Sequence, residues 1–386
     1  MRKLIYLASF ILAITTALPA YIESSFLASL VGAKSVGSVF AISSLLTIII
    51  YSSLSYRLRR FGLRTPMILF TFFAVFATIQ LSTSSIGYAT LFAFVVFYSA
   101  GMILRYLLDV LLEQYSSDID TGATRGIYMT AINLAWLASP LLAGRLLELY
   151  PGHYDLIFFL TLPPLLLVLL LTIFALKEKR KEDFKISTPW QALKRLWNSR
   201  NQNDSDIKNI LVVDFLLHFF YAIMVVYSPI YLRQVVGLSW QNIGIIFTFM
   251  LLPFVLFEAP LGKIADKYFG EKEMLITSLI IMIISTTAIP LIGGTSLIAW
   301  SVILFLTRTG AAGTEIMKET YLFKKIDSEN ADIVAVSRNN IPLAYLIGPA
   351  FGSIFTIFLP LSWIFPALAL ILLGGIWTAH NLKDTK

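Results

Sequence analysis

Long apolar runs constrain this chain more than any other feature of its sequence. Twelve of them follow one another, and most approach or exceed the roughly 20 residues that a helix needs to cross a bilayer. They lie near residues 4–30, 36–56, 65–83, 87–112, 126–147, 155–176, 207–231, 240–261, 274–292, 296–317, 333–358 and 362–379. Within lipid no water satisfies an open backbone, so each run must be helical. We therefore predict an all-α integral membrane protein with twelve transmembrane helices.

Composition leads to the same class. Of the 386 residues, 57% are hydrophobic and only 14% are charged, whereas an ordinary soluble domain is about 45–50% apolar and about 25% charged. The chain has no cysteine, which excludes disulfides and thiol catalysis. It also has no P-loop, HExxH or paired-histidine motif, so we expect no cofactor, no metal and no enzymatic activity.

The charged residues predict the topology. Most of the 30 Lys and Arg residues fall in alternate connections, among them Lys318, Lys324 and Lys325 after the tenth run. Basic connections stay in the cytoplasm, so we expect an inner-membrane protein with both termini and the long central loop cytoplasmic. Because the net charge of +7 falls between apolar runs rather than on one face, we expect no nucleic-acid partner.

The two halves of the chain repeat one another. The longest polar stretch, 177–206, separates a six-helix bundle over 1–176 from a second over 207–386. Ser139, Pro140 and Gly144 late in the fifth run correspond to Gly348, Pro349 and Gly352 in the eleventh. We interpret these residues as helix-packing motifs. Two pseudo-symmetric six-helix bundles are a transporter architecture.

The connections after the second and eighth runs carry a second repeated motif. The later copy contains Gly262, Asp266, Lys267 and Gly270, and the earlier copy keeps Arg60 and Gly62 but has Arg59 in place of the aspartate. With the span count, the charge side and the repeat, these motifs resemble those of the major facilitator superfamily over essentially the whole chain. The Gly-Pro pair of the eleventh run resembles the span-five motif of exporters in that family.

The resemblance implies a cytoplasmic gate. In that family, the loop aspartate after span two reaches the start of span eleven in the other half and helps to hold the cytoplasmic side shut. We therefore expect Asp266 to approach Arg125 or its helix start, and Arg59 to meet an acid among residues 327–332, with the charges exchanged in that contact. The resemblance also implies that spans one, four, seven and ten line a central cavity.

Charges inside the predicted spans are the candidate site residues, because each costs about 2.5–3.5 kcal/mol at a helix centre and so needs a cavity or a partner. They are joined by neighbouring polar residues on the same helices, and the full set is Glu23, Arg105, Asp109, Asp214, His218, Arg308, Arg338 and Asn339. Asp214 and His218 are one helical turn apart and so share a face. Arg308 is expected to contact either an anionic part of a solute or an acid on a neighbouring helix.

Two function classes remain open. The first is a monomeric secondary transporter that couples a small solute to protons through Glu23 or Asp214, either exporting an amphiphilic or cationic compound or carrying a sugar. The second is a receptor or scaffold of the same fold that transports nothing and binds a ligand or partner through the long loop. A membrane enzyme is a distant third.

Overall fold

The computed structural model describes residues 1–83, 87–115, 121–178, 189–199, 201–257, 260–261, 270–326 and 331–383. All regular structure in these ranges is helical. The first bundle contains α1 (Arg2–Ala20), α2 (Glu23–Val31), α3 (Val36–Phe61), α4 (Arg64–Leu81), α5 (Tyr88–Glu113), α6 (Thr121–Leu149) and α7 (Tyr154–Leu170). The rest are α8 (Pro189–Asn198), α9 (Gln202–Ile230), α10 (Trp240–Leu256), α11 (Glu271–Ala288), α12 (Leu297–Lys325), α13 (Ala331–Phe358) and α14 (Ile364–His380).

Each predicted apolar run lies on a helix. Among the described residues, 11 helical segments are long and apolar enough to cross a bilayer. Trp240–Leu256 is also apolar but shorter, and its 17 residues span about 25 Å. With that helix the prediction of an all-α membrane protein with twelve spans is confirmed.

The first span is interrupted near its outer end. Pro19 lies in the last turn of α1, and α2 begins at Glu23. Proline lacks the N–H that would continue the helical hydrogen bonds, and the Ile22 N–H instead donates to the Pro19 carbonyl at 2.8 Å. The first helix therefore ends at Ala20, and Glu23 lies in the first turn of a new helix.

The first compact unit comprises Met1–Lys185 together with Ser239–Gly244. At its centre α1 packs against α5, α6 and α7. Three connections meet at one end of this unit: Arg2 Nε donates to the Tyr115 carbonyl at 2.5 Å, and the Tyr115 hydroxyl donates to the Lys177 carbonyl at 2.8 Å. Basic segments predicted to share a membrane side thus lie together.

Gly62, in the earlier copy of the loop motif, has a structural reason to be glycine. Its φ of 75° is a left-handed conformation that side chains disfavour. A Cβ there would lie only 2.8 Å from Glu178 Oε2, which accepts the Leu63 N–H at the start of α4. The motif therefore ends α3 and leaves room for a carboxylate from the end of the sixth span.

The second compact unit comprises Ile186–Leu238 and Ile245–Lys386. Its central helix is α9, which packs against α12, α13 and α14. At one end Lys325 Nζ lies 2.8 Å from Asp206 Oδ2, and the Lys383 backbone N–H donates to Asp206 Oδ1. Lys324 pairs with buried Glu271 at the start of α11. The predicted basic connections again meet at one end.

The polar stretch predicted as a linker contains the short amphipathic helix α8. It packs against α13 and α9, while Trp197 is 76% exposed and Lys194 and Arg195 face outward. A basic helix that exposes tryptophan suits the headgroup layer of a bilayer.

Close contact between α11 and α12 depends on Gly310. A Cβ at this position would lie 2.6 Å from both the Met282 backbone nitrogen and the Ser278 carbonyl oxygen. Small residues allow membrane helices to approach closely, and van der Waals contact then replaces the hydrophobic effect as the force that holds them.

We predict that Gly310→Ala lowers the thermal stability of the detergent-purified protein. Alanine favours a helix over glycine by about 1 kcal/mol, but overpacking against backbone costs about 1–3 kcal/mol. The matched control is Gly374→Ala, where the nearest atom to the new Cβ would be Leu216 Cδ1 at 3.9 Å. Scanning fluorimetry measures both variants. Equal melting temperatures for the two would contradict the packing argument.

Candidate functional site

Asp214 is the most densely contacted of the predicted site residues. It lies on α9 with 1% of its surface exposed. Oδ1 forms an ion pair with Lys318 Nζ from α12. Oδ2 accepts hydrogen bonds from Ser337 Oγ and Asn340 Nδ2 of α13, each at 2.8 Å. Three helices therefore converge on one carboxylate. We call the residues that meet here the Asp214 cluster: Asp214, His218, Lys318, Ser337 and Asn340.

Lys318 corrects the sequence assignment. The sequence pattern places Lys318 in the basic connection after the tenth run. In the structure α12 continues to Lys325, and Lys318 is buried inside the unit with 6% of its surface exposed. A buried charge pair is tolerated when the geometry is good and further hydrogen bonds satisfy the remaining lone pairs. Ser337 and Asn340 supply those bonds.

His218 completes the cluster as predicted from its spacing. Its Nδ1 lies 2.8 Å from the Asp214 carbonyl oxygen and 3.3 Å from Asp214 Oδ1. Both neighbours are acceptors, so Nδ1 is the donor in this contact. The His218 side chain is 12% exposed, which is more than the side chain of Asp214 or Lys318. His218 is therefore the most accessible ionisable group of the cluster.

Arg308 is held differently. It is 2% exposed on α12, and its Cζ lies 5.3 Å from the ring centroid of Phe220 and 5.2 Å from that of Tyr221. Neither Nε nor Nη2 has a hydrogen-bond partner among the residues that the structure describes. Cation–π contacts contribute about 0.5–2 kcal/mol each, whereas burying an ion costs several kcal/mol. The aromatic rings alone do not offset the desolvation of this guanidinium.

A nearby acid is already engaged. The Tyr221 hydroxyl donates to Glu315 Oε2 at 2.7 Å. Along α12, Arg308, Glu315 and Lys318 span about 15 Å, and along α9 Asp214 and Tyr221 are about 10 Å apart. Alternating positive and negative groups thus follow the α9–α12 contact inside the second unit.

Glu23 is the buried acid of the first unit. It is 4% exposed, and no described residue forms a hydrogen bond or ion pair with its carboxylate. Ser24 and Ser25 follow it in the first turn of α2, and their hydroxyl oxygens are buried without hydrogen-bond partners as well. A polar, unsatisfied segment therefore lies at the break in the first span.

Arg105 lines a small recess within the first unit. The recess encloses about 20 Å³ between α1, α5 and α6, enough for about one water molecule. Thr16, Tyr128 and Trp136 also line it. Asp109, one turn beyond Arg105, is partly buried and makes a polar contact of its own. Among the described residues, neither Arg105 nor Asp109 forms a hydrogen bond with Glu23.

The polar stretch of α13 reaches the Asp214 cluster through Asn340. Asn340, which follows the two predicted residues, is the one that reaches Asp214 and also donates to the Leu211 carbonyl at 3.1 Å. Arg338 and Asn339 are partly buried and have polar contacts elsewhere, and Arg338 Nη2 is buried without a hydrogen bond.

The predicted helix-packing glycines lie against neighbouring helices. A Cβ at Gly348 would meet Ala222 of α9 at 3.1 Å, and one at Gly352 would overlap the Tyr227 ring. The Tyr227 hydroxyl donates to the Pro349 carbonyl at 2.8 Å. In the first unit a Cβ at Gly144 would lie 2.9 Å from the Cα of Gly244, and Gly244 approaches the Pro140 carbonyl.

The gating residues are only partly described. Gly270 has a φ of 80° and precedes α11, and Arg60 lies over the Phe61 ring at 5.2 Å. Gly262, Asp266, Lys267 and residues 327–330 lie outside the described residues, as do the side chains of Arg59, Arg125 and Asp332. The two gate contacts stay predictions.

The chain is similar to a known protein family and to solved structures. The family model described as Major Facilitator Superfamily matches residues 4–335. No curated protein matches the chain in sequence. Among solved structures, a mutant of the nucleoside transporter NupG is similar with a TM-score of 0.75 over 99% of this chain and 98% of that one. The sequence identity is 10%, so the likeness concerns the fold alone.

We predict that Lys318→Met destabilises the protein by about 3–5 kcal/mol, because it leaves Asp214 buried without its counter-charge. The double variant Asp214→Asn/Lys318→Met should recover much of this loss, since neither charge remains. Lys194→Met, at an exposed position on α8, is the control. Denaturation in detergent measures all of them. Additive losses in the double variant would show that the two residues are not energetically coupled.

Proposed function

The chain belongs to the major facilitator superfamily, and we propose that it is a monomeric secondary transporter that couples the movement of a small solute to protons by alternating access. Membrane transport follows from the family. Proton coupling is the further step, and it rests on Glu23.

Glu23 supports proton coupling because nothing described fixes its charge. It is buried at a break in the first membrane helix and lacks an ion pair to a described residue. Ionisable residues inside membrane segments commonly mark proton and substrate pathways. Asp214, in contrast, is tied to Lys318 and two further donors. Gain or loss of a proton at Glu23 therefore needs no ion pair to break.

Efflux of an amphiphilic compound is the direction we favour. The Gly348–Pro349 pair and its Ser139–Pro140 counterpart resemble exporter motifs, and their close packing on neighbouring helices supports a role in helix contacts. A solved structure with a similar fold is a nucleoside transporter, so nucleosides are included among the solutes to be tested. We expect the termini and the α8 linker to be cytoplasmic, in keeping with the basic ends of both units.

Purified protein in vesicles tests this proposal against a non-transporting receptor or scaffold. The panel contains labelled nucleosides, sugars, lipophilic cations and aromatic carboxylates, each with and without a pH gradient. We expect at least one solute to accumulate only with the gradient, and a protonophore to abolish the accumulation. Saturable binding of a panel solute without transport would favour the receptor alternative. Transport unaffected by the protonophore would exclude proton coupling.

We predict that Glu23→Gln abolishes gradient-driven transport of that solute, because the amide keeps the shape and cannot exchange a proton. Its melting temperature should stay near the wild-type value. Glu273→Gln, at an exposed position on α11, is the matched control and should transport normally. Gradient-driven transport at the wild-type rate in Glu23→Gln would mean that Glu23 is not the coupling site. Asp214 with His218 would then be tested in the same way.

A further inference from the structure

We propose that the side edge of Arg308 binds an oxyanion of the transported solute, a carboxylate or a phosphate ester. This inference rests on the proposed transport function and specifies the solute's chemistry. It starts from two donors of one buried guanidinium that have no acceptor among the described residues.

The two unsatisfied atoms are Nε and Nη2. In a guanidinium these two nitrogens lie on the same edge and point N–H groups in parallel. Parallel N–H groups match the two oxygens of a carboxylate or phosphate, which is the bidentate geometry that arginine provides and lysine does not. Arginine stays protonated in proteins, so the edge remains a charged donor.

The surroundings leave this edge as the place for an acceptor. Phe220 and Tyr221 lie against the guanidinium and offer ring faces, which attract a cation but accept no strong hydrogen bond. The Tyr221 hydroxyl is directed to Glu315 Oε2 at 2.7 Å. Glu315 is the acid nearest along α12, and it is held by the tyrosine rather than by Nε or Nη2.

Position in the membrane excludes a lipid phosphate as the ordinary partner. Arg308 lies about 17 Å along α12 from its start at Leu297. With the start of α12 at one membrane boundary, this distance reaches the middle of a hydrocarbon core of about 30 Å. The anion must therefore arrive with a solute that enters the protein.

The same edge is closed in this conformation, since both nitrogens are buried. Entry of a solute requires the α9–α12 contact to loosen, and the rings of Phe220 and Tyr221 would then flank the solute. An aromatic or apolar body that carries the oxyanion fits those walls, which is why an aromatic acid is the probe.

Thermal stabilisation of the detergent-purified protein tests this directly and does not depend on transport. The probes are benzoate and phenyl phosphate, with benzamide as the neutral match of benzoate and uridine as a neutral nucleoside. We expect stabilisation by at least one of the two oxyanions and none by benzamide. Which oxyanion acts decides between carboxylate and phosphate.

Three variants locate the contact. Arg308→Lys keeps the charge and removes the fork, so it should weaken oxyanion binding by about tenfold or more. Arg145→Lys, at an exposed position on α6, should bind as wild type. Glu315→Gln should retain the preference for the oxyanion.

Three results would overturn the inference: no preference of the wild-type protein for either oxyanion, equal binding by Arg308→Lys, or loss of the preference in Glu315→Gln. The last result would show that the preference depends on Glu315 and not on the Arg308 fork alone. A failed oxyanion preference together with gradient-driven transport of a neutral solute would reject this inference and leave the proposed function standing.

Discussion

The ion pair between Asp214 and Lys318 is the interaction on which the second unit depends most. In a membrane, a buried carboxylate has no water to turn to, so its partners must come from the same protein. Lys318, Ser337 and Asn340 supply them from two other helices. This one carboxylate therefore specifies how α9, α12 and α13 pack together. Apolar side chains that face lipid make no directional contacts and would specify this packing poorly.

Other polar groups in the membrane are left open, and this difference separates structural from functional candidates. Glu23 has no described partner, and Arg308 has two nitrogens without one. Buried polar groups are almost always satisfied in stable proteins, so an unsatisfied one calls for an explanation. We propose that the missing partners arrive during transport: a proton at Glu23 and an anionic group of the solute at Arg308. The Asp214 cluster instead joins α9, α12 and α13 within the second unit.

The sequence predicts the spans well and the contacts between them poorly. Apolar length alone places all twelve spans, and the Asp214–His218 spacing reveals a shared helix face. Lys318, however, is 104 residues from Asp214, and no one-dimensional pattern pairs them. Its position beyond the apolar run reads as a connection, yet α12 extends through it. The same limit applies to Asn340, which follows Asn339 in the sequence and reaches the carboxylate.

We propose that solute movement and proton movement are coupled, and a proton flux driven by a solute gradient is the most direct test of this coupling. Vesicles containing the purified protein and a pH-sensitive dye are given a gradient of a transported solute, with no initial pH difference and with the membrane potential clamped. We expect a change of internal pH that requires the solute gradient and disappears with a protonophore. Solute movement at full rate with no change of internal pH would contradict it.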